Sequence, residues 1–234
     1  MKVSVVIPAL NEADNILSCL LSVKRQGGEI EVLVVDGGSA DDTIEVARSH
    51  ARVITSVPGR AVQMNAGARH ATGEVLLFLH ADSRLPPDAV LALKQVLDDP
   101  HVVGGTFMLA FDSRKFLLRL VAFFTRFKFR FFHYGDQGIF VRRSVFQQLG
   151  GFKEVPVMED IEFLLQLRKM GRVTLIKRPV TTSARRFLRH GIVRQQLLNL
   201  VLVILYLLGA KPETLAKWYQ PTKSARESCP GVRR

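Results

Sequence analysis

The chain has 234 residues, 47% hydrophobic and 23% charged, a balance that excludes a disordered or fibrous protein and suits one α/β domain with a small appendage. Its 33 Lys+Arg against 21 Asp+Glu give +12, which favours anionic partners such as nucleotides, membrane surfaces or nucleic acids without choosing among them. Two cysteines, Cys19 in an apolar helical pattern and Cys229 in a polar tail, argue against a disulfide framework and for a reducing compartment.

Val3 to Ile7 reads as a first strand ended by Pro8, with no leader of signal-peptide form. Asn11 reads as the N-cap of a helix with Asp14 near its positive end, and Gly27-Gly28 stop it. Glu31 to Val35 is a second strand ending at Asp36-Gly37-Gly38-Ser39, where Ser39 and Asp42 make a capping box. Val53 to Val57 is a third strand, broken by Pro58-Gly59, and Arg60 to Ala71 a helix ended by Gly73. The apolar run Val75 to Leu79 reads as a strand buried on both faces, and Pro86 to Leu97 as a helix. Strands alternating with helices imply a doubly wound, mostly parallel sheet.

The second half is less regular. Gly105 to Phe111 and Gly138 to Val141 read as strands, and Ser144 to Leu149 as a helical turn. Phe116 to Phe132, rich in Phe and Arg, has weak helical periodicity and suits a half-buried helix or an interfacial platform. Glu159 to Met170 is a helix; Val173 to Ile176 and Val180 to Ser183 are short strands. Ile192 to Leu208 is a long apolar helix, shorter than the roughly 20 apolar residues of a membrane span. It suits a bilayer surface, a cap on the core or a homodimer seam. The division expected is 1–190 as a main domain (halves 1–100 and 101–190), 191–220 as the C-terminal apolar helix and 221–234 as a polar tail.

Ligands of open α/β sheets bind beyond the carboxyl ends of the strands, which is where the candidate residues cluster. Asp82 ends the fourth strand in His80-Ala81-Asp82; it reads as a carboxylate for Mg²⁺ or Mn²⁺ on a diphosphate, or as a turn residue. Asp36 ends the second strand and could accept hydrogen bonds from a base or ribose, or simply shape the turn before two glycines. Asn11 and Glu12 suit a helix start in their own right. Gly59-Arg60 offers a helix N-terminus and a guanidinium to a diphosphate. Met158-Glu159-Asp160 puts two carboxylates at a helix start, where they serve the helix dipole or a general base.

Taken in order, Val-Val-Ile-Pro-Ala-Leu-Asn-Glu, then Val-Val-Asp-Gly-Gly-Ser-Ala-Asp-Asp-Thr, then Phe-Leu-His-Ala-Asp, then Gly-Gly-Phe and Met-Glu-Asp-Ile-Glu-Phe, the chain resembles the family 2 glycosyltransferases across roughly residues 3 to 187. The resemblance implies a Rossmann-like GT-A fold and an inverting, metal-dependent transfer of a hexosyl-type sugar from a nucleotide diphosphate, UDP by family habit, to an acceptor hydroxyl. By position it implies Pro8 and Glu12 at the nucleotide-sugar site, Asp36 on the base, and Asp82 as the last carboxylate of the metal motif. It implies Asp160 as catalytic base and Gly135, Asp136, Gln137 and Glu159 on the acceptor side.

Two departures matter. His80 replaces the first metal-motif carboxylate, so the metal rests on Asp82, with His80 a structural residue. Ser183-Ala184-Arg185-Arg186-Phe187 keeps the Arg and aromatic of the Gln-x-x-Arg-Trp motif but lacks the Gln, which argues against a processive synthase. The alternative reading is a non-catalytic nucleotide-sugar-binding or membrane-docking module on the same fold. A nucleotidylyltransferase would need a Gly-rich basic loop where Pro8-Ala9-Leu10-Asn11 stands, and no nucleic-acid motif appears. The expected partners are thus a nucleotide-sugar donor, an acceptor open to being lipid-linked, and an anionic membrane surface. The expected location is cytoplasmic, peripheral on the inner face of the cell membrane.

Overall fold

The structure, a computed structural model, describes residues 1–124 and 137–219. Its first half is built on β1 (Val3–Ala9), β2 (Ile30–Asp36), β3 (Arg52–Thr55) and β4 (Val75–Phe78). These four run parallel in the order β3-β2-β1-β4, with Ala9 opposite Asp36, Asp36 opposite Thr55 and Val6 opposite Phe78. Their carboxyl ends therefore share one rim.

Side chains alternate across β1, and each face buries its own set. Val3, Val5 and Ile7 pack with Ile16, Cys19 and Leu20 of α1 (Ala13–Lys24) and Ala47 of α2 (Thr43–Arg48). Val6, with Leu33 and Val35 of β2, packs on Ala61 and Met64 of α3 (Arg60–His70). A Cβ on Gly67 of α3 would collide with Val6 Cγ1 and stand 2.9 Å from Val35 Cγ2, so the missing side chain is what lets α3 lie so close to the sheet.

The second half turns the sheet. After β5 (Ser83–Arg84) and α4 (Ala89–Leu97), the chain forms β6 (Val102–Phe111), α5 (Phe116–Phe124), β7 (Ile139–Arg142) and α6 (Arg143–Gln148). It continues through α7 (Glu159–Met170), β8 (Arg172–Thr182), α8 (Arg185–His190), α9 (Ile192–Leu207) and α10 (Pro212–Ala216). Among the described residues the sheet has eight strands, ordered β3-β2-β1-β4-β7-β6-β8-β5. β7 runs antiparallel to both β4 and β6, β8 parallel to β6, and β5 antiparallel to β8. The β5–β8 pairing sets Ser83 opposite Thr182, and Ser183 N–H donates to Asp82 O at 3.2 Å. The end of β8 is thereby brought to the segment just after β4.

Three local expectations are corrected. Asn11 is not the N-cap of α1: its φ is 55°, its Oδ1 accepts from Ala40 N–H at 2.8 Å, and the helix begins at Ala13. The helix-start amides are instead met from the neighbouring loop, Glu12 N–H by Thr43 Oγ1 at 2.8 Å and Ala13 N–H by Asp41 Oδ2 at 3.2 Å. Ser39 does not cap α2, which begins at Thr43; it bonds Asp36 and accepts from Asn11 N–H at 2.9 Å. The two short strands after α7 are one, β8, whose pairing with β6 jumps from Ile176 to Pro179, so that Lys177-Arg178 bulge and Pro179 is accommodated. Of the Phe116 to Phe132 segment, the part past α5 lies outside the described residues, as does the tail from Pro221.

Candidate functional site

The acidic rim forms where β1, β2 and β4 end. Asp36 closes β2 and is fully buried. Its Oδ2 accepts from Gly38 N–H at 2.8 Å and Ser39 N–H at 3.0 Å, and its Oδ1 from the Ser39 hydroxyl. Asp36 therefore builds the loop after β2. Pro8 is half-buried opposite Val35, one residue before β1 ends.

Glu12, Asp82 and Arg185 meet at this rim. Arg185 Nη2 pairs with Glu12 Oε1 and lies 3.4 Å from Asp82 Oδ2, although 173 residues separate it from Glu12. Asn15 Nδ2 holds the other Glu12 oxygen at 2.8 Å. The guanidinium's pKa is raised: burial works against the charge, but the hydrogen bond and charge of Glu12, with Asp82 behind it, more than offset it. On the inner side of the same carboxylates lies the buried thiol of Cys19, 3.5 Å from His80 O. Its pKa is raised by burial first and then by Asp82 and Glu12.

A second cluster sits at the head of α7. Glu159 is 2% exposed, and Arg60, from the start of α3, donates to its Oε1 at 3.2 Å. Burial raises the Glu159 carboxyl's pKa; Arg60 opposes this, Asp160 adds to it, and the charge of His80 reaches the same carboxylate. Asp160 is buried and its Oδ1 accepts from Ile161 N–H at 2.8 Å. The residue before the pair, Met158, has φ 69°, a left-handed conformation that bulky residues seldom adopt.

Arg60, Glu159 and Asp160 open onto a cavity of about 90 Å³. Its remaining walls include Phe111 of β6, Val121 of α5, Phe187 of α8 and Leu202 of α9. Gln196 and Asn199 of α9 also line it, with Gln195 Nε2 donating to Asn199 Oδ1 at 2.8 Å and the Gln196 Oε1 buried without a hydrogen bond. α9 is fixed to α7 by the Tyr206 hydroxyl, which donates to Glu162. The Tyr206 pKa rises through burial and then this bond.

Of the residues singled out from sequence, the structure therefore gathers Glu12 with Asp82, and Arg60 with Glu159 and Asp160. Asp36 stands on the same rim but does not line the cavity. Gln137 is fully buried just ahead of β7, while Gly135 and Asp136 lie outside the described residues. Among the described residues, no group of three or more His, Cys, Asp and Glu side chains is set to hold a metal. Sequence reasoning did not select Gln196 and Asn199; the available signal was a pair of amides three residues apart in a mostly apolar helix.

Parallel strands ending in a carboxylate rim, continued into a mixed second half that carries the Glu159-Asp160 pair, are the architecture of a GT-A glycosyltransferase. The family model for glycosyl transferase family 2 matches residues 4–150. A PGL/p-HBAD biosynthesis glycosyltransferase of Mycobacterium tuberculosis is 33% identical over 183 residues, 68% of this chain and 67% of that one. An undecaprenyl-phosphate 4-deoxy-4-formamido-L-arabinose transferase of Klebsiella pneumoniae is 32% identical over 118 residues, 45% of this chain and 36% of that one. Among solved structures, S. aureus TarS 1–349 in complex with UDP-GlcNAc aligns with TM-score 0.62 at 20% identity, covering 78% of this chain and 58% of that one. The mannosyltransferase PcManGT of Pyrobaculum calidifontis, in complex with GDP-Man and Mn²⁺, aligns with TM-score 0.61 at 25% identity, covering 90% and 66%. The chain belongs to glycosyl transferase family 2 and is a glycosyltransferase.

Proposed function

We propose that the protein moves a sugar from a nucleoside diphosphate donor to an acceptor hydroxyl, with inversion at the anomeric carbon and without processive elongation. The observation that carries this reading is Asp160, a buried carboxylate on the wall of a cavity that Arg60 and Glu159 also line. UDP is the nucleotide that the family resemblance favours, and the donors bound to TarS and PcManGT support a nucleotide sugar in general.

In the proposed step the bond between the anomeric carbon and the diphosphate breaks as the acceptor oxygen attacks from the opposite face. The diphosphate leaves with the electron pair, and Arg185, held between Glu12 and Asp82, is the cation assigned to meet that charge. The attacking hydroxyl gives its proton to Asp160, whose Oδ1 is held by the Ile161 amide. Glu159, whose carboxyl is pushed above its ordinary value by burial, is anchored beside the base by Arg60.

A divalent cation at this rim would rest on Asp82. Asp82 supplies one hard oxygen ligand, and Mg²⁺ or Mn²⁺ is commonly held by one or two carboxylates plus substrate phosphates and water. Bound there, the ion would neutralise charge on the leaving diphosphate. The Mn²⁺ complex of PcManGT supports this assignment. On the acceptor side, the apolar walls around Asp160 support an acceptor that carries hydrocarbon near its hydroxyl, in keeping with the relative named for undecaprenyl phosphate.

The test is Asp160→Asn, which removes the base and keeps the volume. Transfer should fall by about 10²–10⁴-fold while nucleotide affinity changes little. Full activity of that variant would remove Asp160 from the role.

A further inference from the structure

We infer that the outer faces of α5 and α9 form one docking surface for an anionic phospholipid bilayer. The inference does not depend on the chemistry of transfer, because docking can be measured without turnover.

Each helix spends one face on the protein and leaves an apolar stripe outside. On α9, Gln195, Leu202 and Val203 are buried, whereas Val193, Leu197, Val201 and Ile204, with Leu208 just past its end, are exposed, Leu208 by 78%. Those five recur at intervals of four, four, three and four, the spacing of one helix face. On α5, Leu118 is buried against Ala184 and Phe187 of α8, with Ile192 of α9 packed on the same cluster. Phe116, Leu117, Leu120 and Phe123 stay exposed, Phe116 by 74%. The two stripes thus belong to helices that share a small core and both wall the Asp160 cavity.

The charge around the stripes selects the occupant. No Asp or Glu occurs in residues 113–124 or 185–211, the stretches that carry α5, α8 and α9. Arg114, Lys115 and Arg119 are exposed around α5, and Arg194 and Lys211 at the two ends of α9. A second copy of the chain would bring this cationic patch against itself across a two-fold axis, with like charges opposed. An anionic bilayer instead meets the cations with headgroup charge and the stripe with acyl chains. At 16 residues α9 is about 24 Å long, short of a roughly 30 Å hydrocarbon core, and among the described residues no helix is long and apolar enough to cross a membrane. The helix would lie in the interface, with the cavity that Asp160 lines close to the lipid.

The experiment is flotation of the full chain with phosphatidylcholine vesicles, with and without phosphatidylglycerol. The protein should float with the anionic vesicles and less so as salt rises. Leu197→Glu with Val201→Glu, and separately Phe116→Ser with Leu120→Ser, should each lower partitioning by about tenfold or more. Leu91→Glu, an exposed leucine on α4, should leave it unchanged. Melting temperatures close to wild type would show that both doubles are folded, as expected for solvent-facing positions. Absence of flotation, or equal loss in the Leu91 control, would overturn the inference. So would a vesicle-independent dimer that the α9 double splits, which would reassign the stripe to self-association.

Discussion

At the residue scale, function depends on charges placed where water cannot fully screen them. Arg185 neutralises two carboxylates that would otherwise face each other across the rim. Arg185→Ala should lower kcat/KM by about 10²–10³-fold, the range for deleting one preorganised donor to a developing anion, and Arg185→Lys should recover part of it. Steady-state kinetics with varied donor would check this, and an unaffected rate would leave the guanidinium a purely structural bridge. Glu159 gives a prediction of a different kind. Its pKa is raised in the folded state, so its contribution is fully present below the ordinary carboxylate value and is lost as pH rises through the raised one. The stability of Glu159→Gln relative to wild type should therefore climb with pH across that window, as followed by urea melts. A gap independent of pH would mean that Arg60 fully compensates the buried charge. Asp82 and Asp160 were legible as motif positions in the sequence. The pairing of Arg185 with Glu12 was not, because it exists only once β5 has paired with β8.

At the element scale, the parallel half could be read almost directly. Apolar runs such as Val75 to Leu79 allow only a strand covered on both faces, and the glycines and prolines after them punctuate the crossovers. What escaped reading was decided by contacts distant in sequence. Asn11 and Ser39 have N-cap chemistry, yet each is used to tie the β1–α1 loop to the β2–α2 loop. β5, with two residues, and α8, with six, carry too little pattern to stand out, although together they deliver Arg185 to the rim. Gly67 shows the same limit: inside a helix it reads as a weak point, and only the nearness of Val6 and Val35 explains it. Gly67→Ala should cost about 1–3 kcal/mol by pushing α3 off the sheet, despite the better helix propensity of alanine. Chemical denaturation would measure this; a stabilised variant would show that α3 can shift without loss.

At the scale of the whole molecule, the parallel half and the mixed half are one continuous sheet, and the rim draws residues from both. The family model ends at residue 150, so it covers the parallel strands and Asp82 but stops before Asp160, Arg185 and α9, on which the transfer chemistry proposed here relies. A nucleoside diphosphate should therefore couple the halves by contacting Asp82 through a cation and Arg185 directly. Ligand that binds only the folded chain at about 100 times its Kd adds about 2.7 kcal/mol, which for a domain of this size raises the melting temperature by about 5–10 °C. Such a shift is expected with UDP and Mn²⁺ together, and should largely disappear with EDTA or in Asp82→Asn. In Asp160→Asn it should persist, since that carboxylate lines the cavity beside α9 and takes no part in the Glu12–Arg185–Asp82 contacts. A shift of equal size in chelator would separate donor binding from any metal and leave Asp82 as a partner of Arg185 alone.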